Sequence, residues 1–421
     1  MNRYYLIAVG MALTLMPVLS MAQLAENYPN DIGIEHDPHV RYVERFEGSL
    51  DQIFSRYTDI LYPNGIFLDP DVPPGSLSAH SIRMHSAPGV NTGAHLFRNF
   101  QPGFDGTVHV RYYVKYPKSS QHYFHHEGIW FGGYNPSTPW PSPGAGLCGM
   151  GDKRLSIAFE PVWHNTDPPG MDTYLYWGDM KSWNEGTSCF GNVMVTQGAT
   201  GYSEPLVTGD YPGVALDEWM CIEIMIKLNE PVSAYNGELA IWVDGVQIGH
   251  WGPGFPNGHW LKDKWYNNPA DPPFEGFRWR TDPALNINWL WIEYFHSNPT
   301  APPSYIQYDH IVVADQYIGP IHQPTGTDVT LPRPSDDLRI YPSPLPQGAA
   351  LTIRLGHSDW SEGEKNLEVT DMTGSVVFSA RDPFAGGAAQ VVMPNLSPGM
   401  YILRVRDASW YGRAKFLVQS P

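Results

Sequence analysis

Apolar residues recur at every second position through much of the chain between residues 78 and 318. In residues 107–117, Val108, Val110, Tyr112 and Val114 fall on one side of an extended chain, and His109, Arg111, Tyr113 and Lys115 on the other. Residues 221–229 repeat the pattern, with Ile222, Ile224 and Ile226 set against Glu223, Met225 and Lys227. In 238–244, Leu239, Ile241 and Val243 alternate with Glu238, Trp242 and Asp244, and Asp244-Gly245 supplies a hairpin turn. The period predicts strands over 78–86, 93–100, 107–117, 128–134, 154–163, 172–178, 218–229, 237–251, 287–296 and 304–318. Helical spacing is nearly absent. Strands with one apolar face and one polar, aromatic-bearing face predict an all-β sandwich of two curved sheets, whose concave polar face would carry an extended ligand.

Composition sharpens this picture. The 421 residues include 41 Gly, 40 Pro, 15 Trp and 24 Tyr, which suits short strands joined by long structured loops. A net charge of -17 with no basic patch argues against nucleic acid as a partner. The N-terminus reads as a secretory leader: Arg3, an apolar run from Tyr4 to Leu19, then Ser20-Met21-Ala22, making Gln23 the first mature residue. Nothing later is long and apolar enough to span a bilayer. Residues 23–321 form a β-rich domain, the Pro- and Thr-rich residues 322–335 a linker, and residues 336–421 a smaller second domain. In an oxidising compartment, Cys148 and Cys189, both in Gly-rich loops, could pair, whereas Cys221 reads as a buried free thiol.

The smaller unit contains Leu338-Arg339-Ile340-Tyr341-Pro342-Ser343-Pro344, Leu367-Glu368-Val369-Thr370-Asp371-Met372-Thr373-Gly374, Leu396-Ser397-Pro398-Gly399-Met400-Tyr401-Ile402-Leu403-Arg404-Val405 and Lys415-Phe416-Leu417-Val418. It resembles the C-terminal sorting domain read by the type IX secretion system, with Ser343 where that family usually has Asn. The resemblance implies an immunoglobulin-like β-sandwich, engagement of the type IX machinery, and a secreted or outer-membrane-surface location. The larger unit resembles the concanavalin A-like jelly rolls, and within them the family 14 polysaccharide lyases. The resemblance rests on Gly93-Ala94-His95-Leu96-Phe97-Arg98, on Val110-Arg111-Tyr112-Tyr113-Val114-Lys115, on Gly237-Glu238-Leu239-Ala240-Ile241-Trp242-Val243-Asp244-Gly245, and on Tyr308-Asp309-His310-Ile311-Val312-Val313-Ala314. The Glu-x-Asp-x-Glu motif of jelly-roll glucanases and the Gln-Ile-His signature of other alginate-lyase jelly rolls are both missing from the sequence. The jelly-roll resemblance implies an extracellular polysaccharide as partner and a structural calcium ion, for which Glu47 and Asp309 are the matching positions. No organic cofactor is expected.

Cleavage of a uronic-acid chain by β-elimination needs a group that neutralises the sugar carboxylate, a base for the C5 proton and an acid for the departing 4-oxygen. Arg111 and Arg280 are candidate neutralisers, and His126 and Tyr294 candidate proton carriers. Glu160, on a polar strand face, completes the catalytic candidates. His125, Trp130, Tyr134, Lys115, Trp177 and His296 are candidate substrate-binding residues. Loop tryptophans, including Trp140, Trp260 and Trp265, suit stacking on sugar rings or packing of long loops. Two other classes remain open: a non-catalytic glycan-binding, adhesin-like protein, and a glycoside hydrolase using Glu160 and Glu223 as a carboxylate pair.

Overall fold

Each alternating segment becomes a strand in the computed structural model. It describes residues 23–86, 93–118, 126–142, 144, 146–161, 170–182, 189–195, 214–295, 304–323, 338–355, 363–371, 376–384, 388–406 and 411–419. The leader and nearly all of the 322–335 linker lie outside the described residues. An eight-stranded sheet runs from edge to edge through β12 (Val246–Trp251), β11 (Glu238–Val243), β10 (Trp219–Lys227), β6 (Thr107–Lys115), β16 (Tyr305–Ala314), β4 (Ser81–His85) and β3 (Ile66–Asp69), with β1 (Val40–Glu44) also paired to β16. A six-stranded sheet faces it, in the order β2 (Asp59–Leu61), β5 (His95–Phe104), β15 (Ile287–Tyr294), β7 (Glu127–Tyr134), β8 (Arg154–Pro161) and β9 (Met171–Tyr176). A separate hairpin joins β13 (Gly258–Leu261) to β14 (Lys264–Asn267). The architecture is a jelly-roll β-sandwich.

The core lies between the two sheets. Val108, Val110, Tyr112 and Val114 from β6 and Ile222, Ile224 and Ile226 from β10 face Ile129 and Phe131 from β7 and Leu290 and Ile292 from β15 in one apolar cluster. Asp244 and Gly245 close the β11–β12 hairpin with positive φ angles of 50° and 80°, the backbone a tight primed turn requires.

The middle of the outer face of the eight-stranded sheet is covered as well. Three short 3-10 segments, Leu24–Asn27, Pro29–Asp31 and Ile34–His36, lie over it with residues 315–321. Leu24 and Ala25 donate backbone N–H bonds to Tyr317 and Ile318 at 3.0 and 2.9 Å. Beneath this cover Asp31 pairs with Arg111 and also with His310 Nδ1 at 2.9 Å. Glu223 meets His109 Nδ1 at 2.7 Å and accepts the N–H groups of Ile318 and Gly319 at 2.9 and 2.8 Å. The Arg111 guanidinium and the His310 imidazole hold the Asp31 carboxyl well below the usual carboxylate range, against the opposing effect of burial.

The C-terminal unit has a core of its own, built around Leu351, Ile353, Leu367, Val369, Leu403, Val405, Phe416 and Val418. One sheet orders β17 (Leu338–Tyr341), β19 (Ala350–Leu355) and β22 (Ala388–Val392). The other orders β18 (Leu345–Pro346), β24 (Tyr411–Gln419), β23 (Gly399–Arg406), β20 (Gly363–Asp371) and β21 (Val376–Phe384).

Candidate active site: an aromatic cleft on the six-stranded sheet

The face of the six-stranded sheet that points away from the core carries a cleft of about 220 Å³. Its lining follows from strand alternation. Leu290, Ile292 and Tyr294 of β15 turn into the sandwich, so Trp289, Trp291 and Glu293 line the cleft. By the same rule β7 contributes Trp130 and Tyr134, β8 contributes Arg154 and Ser156, and β9 contributes Tyr174 and Tyr176.

Register places these side chains in rows. Trp291 is opposite Trp130, Trp130 opposite Ala158, and Ala158 opposite Tyr174. The next row runs Trp289, Gly132, Ser156 and Tyr176, with Tyr134 opposite Arg154 beyond it. Gly132 is required here, because a Cβ would stand 2.1 Å from the Leu155 carbonyl oxygen. Aromatic rings pave the floor: Tyr134 stacks on Trp289 at 5.0 Å, and Trp130 meets Tyr174 edge-on at 5.3 Å. The Arg154 guanidinium lies over the Tyr176 ring at 4.5 Å.

The opposite end is acidic. His126 sits just ahead of β7 with a positive φ of 66°, a conformation uncommon for residues other than glycine. Phe295 N–H donates to the His126 carbonyl at 3.0 Å and fixes it there. His126 Nδ1 lies 3.0 Å from Glu160 Oε1, and Trp130 Nε1–H donates to Glu160 Oε2 at 3.1 Å. A carboxylate partner selects the tautomer with hydrogen on Nδ1, which leaves Nε2 as the basic nitrogen. The Tyr174 ring contacts the imidazole edge-on at 5.0 Å, and the Tyr176 hydroxyl lies 3.5 Å from the Tyr174 hydroxyl. Burial, followed by the charge of Glu160, pushes the Glu293 carboxyl well above the usual carboxylate range. Burial also raises the Tyr134 phenol to about 12.

Of the residues expected from the sequence, His126, Glu160, Trp130 and Tyr134 come together at this cleft. Others stand elsewhere, each for a physical reason. Tyr294 is fully buried on the core side of β15, beneath the cleft floor. Arg111 and Lys115 belong to β6 in the opposite sheet, where Arg111 pairs with Asp31 and Lys115 with Asp71 at 2.6 Å. Arg280 is buried in a loop, bonded to Asp105 at 2.6 Å and to the Leu285 carbonyl at 2.9 Å. Trp177 packs against Trp260, Phe277 and Trp279. Glu223 and Glu160 occupy different sheets, so they form no carboxylate pair. His125 and His296 lie outside the described residues. Arg154, Ser156, Tyr174, Tyr176, Trp289, Trp291, Glu293 and Phe295 line the cleft without having been singled out, although alternation along 154–161, 171–176 and 287–294 carries the signal for the strand residues.

Cys148 and Cys189 are disulfide-bonded, and Cys221 is a buried free thiol. Among the described residues no group of three or more His, Cys, Asp or Glu is arranged to hold a metal ion. Glu47 Oε1 accepts the Ala79 N–H at 2.7 Å. Asp309 is fully buried: Oδ1 accepts the His310 N–H at 2.7 Å, while Oδ2 has no hydrogen-bond partner. Burial is the largest influence raising the Asp309 carboxyl, and Glu47 is among the neighbouring charges that raise it further.

The family described as "Secretion system C-terminal sorting domain" matches residues 339–419. This domain marks the protein as one that is secreted or displayed at the cell surface, and it implies the type IX secretion machinery as a partner. No helix among the described residues is long and apolar enough to cross a membrane. No curated protein matches the sequence. Among solved structures, an alginate lyase from Chlorella virus is 14% identical, covering 65% of this chain and 100% of its own, with a TM-score of 0.38. An endo-β-1,4-glucuronan lyase from Trichoderma reesei is 12% identical, covering 65% and 95%, at 0.36. A laminarinase from Flavobacterium sp. UMI-01 is 10% identical, covering 65% and 98%, at 0.28.

Proposed function

We propose that the cleft binds an extracellular, uronic-acid-containing polysaccharide and cleaves it by β-elimination. The observation that carries this reading is the His126–Glu160 pair, set at one end of an aromatic floor with a tyrosine against the imidazole. Aromatic faces stack on the apolar faces of sugar rings, so the row of Trp291, Trp130 and Tyr174 suits a glycan laid across the strands. His126 Nε2 takes the C5 proton, the C4–O4 bond breaks as the C4=C5 double bond forms, and the Tyr174 hydroxyl gives its proton to the departing oxygen. Glu160 orients the imidazole and stabilises its positive charge after proton transfer. Arg154 stands six strand positions from Glu160, about 20 Å along β8 at the rise of a strand, so it lies away from a sugar reacting at His126.

The test is ultraviolet absorbance during incubation with alginate, glucuronan and glycosaminoglycans. An unsaturated product is expected from one of them. His126→Gln and Glu160→Gln should each lower kcat by about 10²–10⁴-fold, the usual contribution of a positioned acid–base group. A flat trace across the panel with folded protein sinks the elimination reading.

A hydrolase reading has one specific observation in its favour. Glu160 and Glu293 stand together at the acidic end of the site, and burial, followed by the charge of Glu160, raises the Glu293 carboxyl well above the usual carboxylate range. New reducing ends without ultraviolet absorbance would identify that chemistry, and glycan binding without either product would identify a binding protein. The proposal also includes a structural calcium ion held by Asp309 and Glu47. The buried, unpartnered Asp309 Oδ2 is the kind of hard oxygen such an ion takes.

A further inference from the structure

The base end of the cleft holds a second acid that the elimination steps above do not use. Glu293 is only 4% exposed, and its side chain is turned into the cleft. Its cross-strand neighbours are His95 on β5 and Gly128 on β7. Gly128 has no side chain to stand between Glu293 and Glu160; a Cβ there would lie 3.1 Å from Glu160 Cβ. The two carboxyl groups therefore flank a bare stretch of backbone. His95 Nε2 is engaged by Asp59 Oδ2 at 2.9 Å. Glu160 is engaged by His126 and Trp130. Asp172, next along the row on β9, accepts the backbone N–H groups of Thr173, Met194 and Val195. Glu127 and Tyr294 lie on the far side of the sheet, and Arg154 lies at the other end of the cleft. Among the described residues, no hydrogen bond or ion pair engages the Glu293 carboxyl.

A uronic acid reacting at His126 brings its own carboxylate into this acidic end, with Arg154 out of reach. Elimination demands that this carboxylate be neutralised. We infer that Glu293 binds the substrate as a carboxylic acid, donating its O–H to the carboxylate of the reacting sugar, so that one proton is shared between enzyme and ligand. Hydrogen bonds between an acid and a carboxylate are short and among the stronger kinds. The inference rests on the acidic-polysaccharide reading and names the group that selects an acidic sugar. The pair's burial and mutual charge keep Glu293 protonated where ordinary carboxyls ionise.

The experiment measures binding of alginate and glucuronan tetrasaccharides to the full mature chain between pH 5 and pH 9. Quenching of the cleft tryptophans is read before turnover, and the carboxyl-reduced tetrasaccharides serve as neutral controls. For wild type, Kd for at least one acidic tetrasaccharide should rise about tenfold per pH unit above the Glu293 pKa, because only the protonated form binds. Glu293→Gln keeps an N–H donor and the side chain's size but cannot ionise there, so its Kd should stay flat across the range. The reduced sugars should show no pH dependence. A flat wild-type profile overturns the inference, as does the same rise in Glu293→Gln, which would assign it to another group such as His126. Failure of wild type to bind either acidic tetrasaccharide overturns it as well. Absence of unsaturated product with the pH-dependent binding intact sinks elimination and leaves Glu293 in place, while product with pH-flat binding does the reverse.

Discussion

Asp309 Oδ2 is an acceptor buried without a donor, which costs the fold about 1–3 kcal/mol if nothing meets it. A calcium ion at Asp309 and Glu47 would convert that cost into a gain of about 2.7 kcal/mol at a hundredfold excess of ion over Kd. Adding a chelator should therefore lower the wild-type Tm by several degrees and leave Asp309→Asn nearly unmoved; equal melting with and without chelator rejects the ion. Neighbouring residues on β15 show how far a sequence can be read at this scale. Glu293 and Tyr294 share a strand whose period of two was visible, and the parity that buries Leu290 and Ile292 also buries Tyr294 and presents Glu293. Chemical suitability pointed to the tyrosine, whereas geometry favours its neighbour. On β7 both criteria agreed, and Trp130 and Tyr134 were legible from Ile129 and Phe131 alone.

The strands themselves were largely legible, because each has an apolar face that must be buried. Pairing was less so. β6 and β7 follow each other in sequence but lie in opposite sheets, and this put Arg111 and Lys115 beyond reach of the cleft. No local pattern encodes such a crossing; it is settled by which long-range partners bury the most surface. The short strands β1, β2 and β3 and the β13–β14 hairpin escaped notice for a related reason, since three to five residues carry little alternation. Loops beside the cleft are constrained covalently. The Cys148–Cys189 bond closes a 41-residue separation that contains β8 and β9. Gly191 lies against the Tyr174 ring and Gly144 against the Arg154 guanidinium, so both tied loops brace cleft residues. Reduction should cost stability of up to about 4 kcal/mol by loop entropy. It should also raise KM and lower kcat, because Gly191 braces Tyr174, the proposed acid, while His126 and Glu160 are held by other contacts. A melting curve and a Michaelis profile with and without reductant check this, and an unchanged KM and kcat would show that the bond serves the fold alone.

At the scale of the whole molecule, two features act in series. The C-terminal domain addresses the protein to the cell exterior, where polymeric glycans are found. On the function proposed above, the sandwich would offer them the cleft of one sheet, while the Leu24–His36 segments and residues 315–321 cover the middle of the other over the Asp31–Arg111 pair. A single cleft opposite a largely covered face would set the valency of the sandwich at one. Acting as proposed, such a unit would grip a strand of polymer without bridging it to another, so it should neither agglutinate glycan-coated particles nor thicken a polysaccharide solution. Light scattering on stepwise addition to a long acidic glycan should stay level or fall as chains are cut. A rise would reveal a second point of attachment and a cross-linking role.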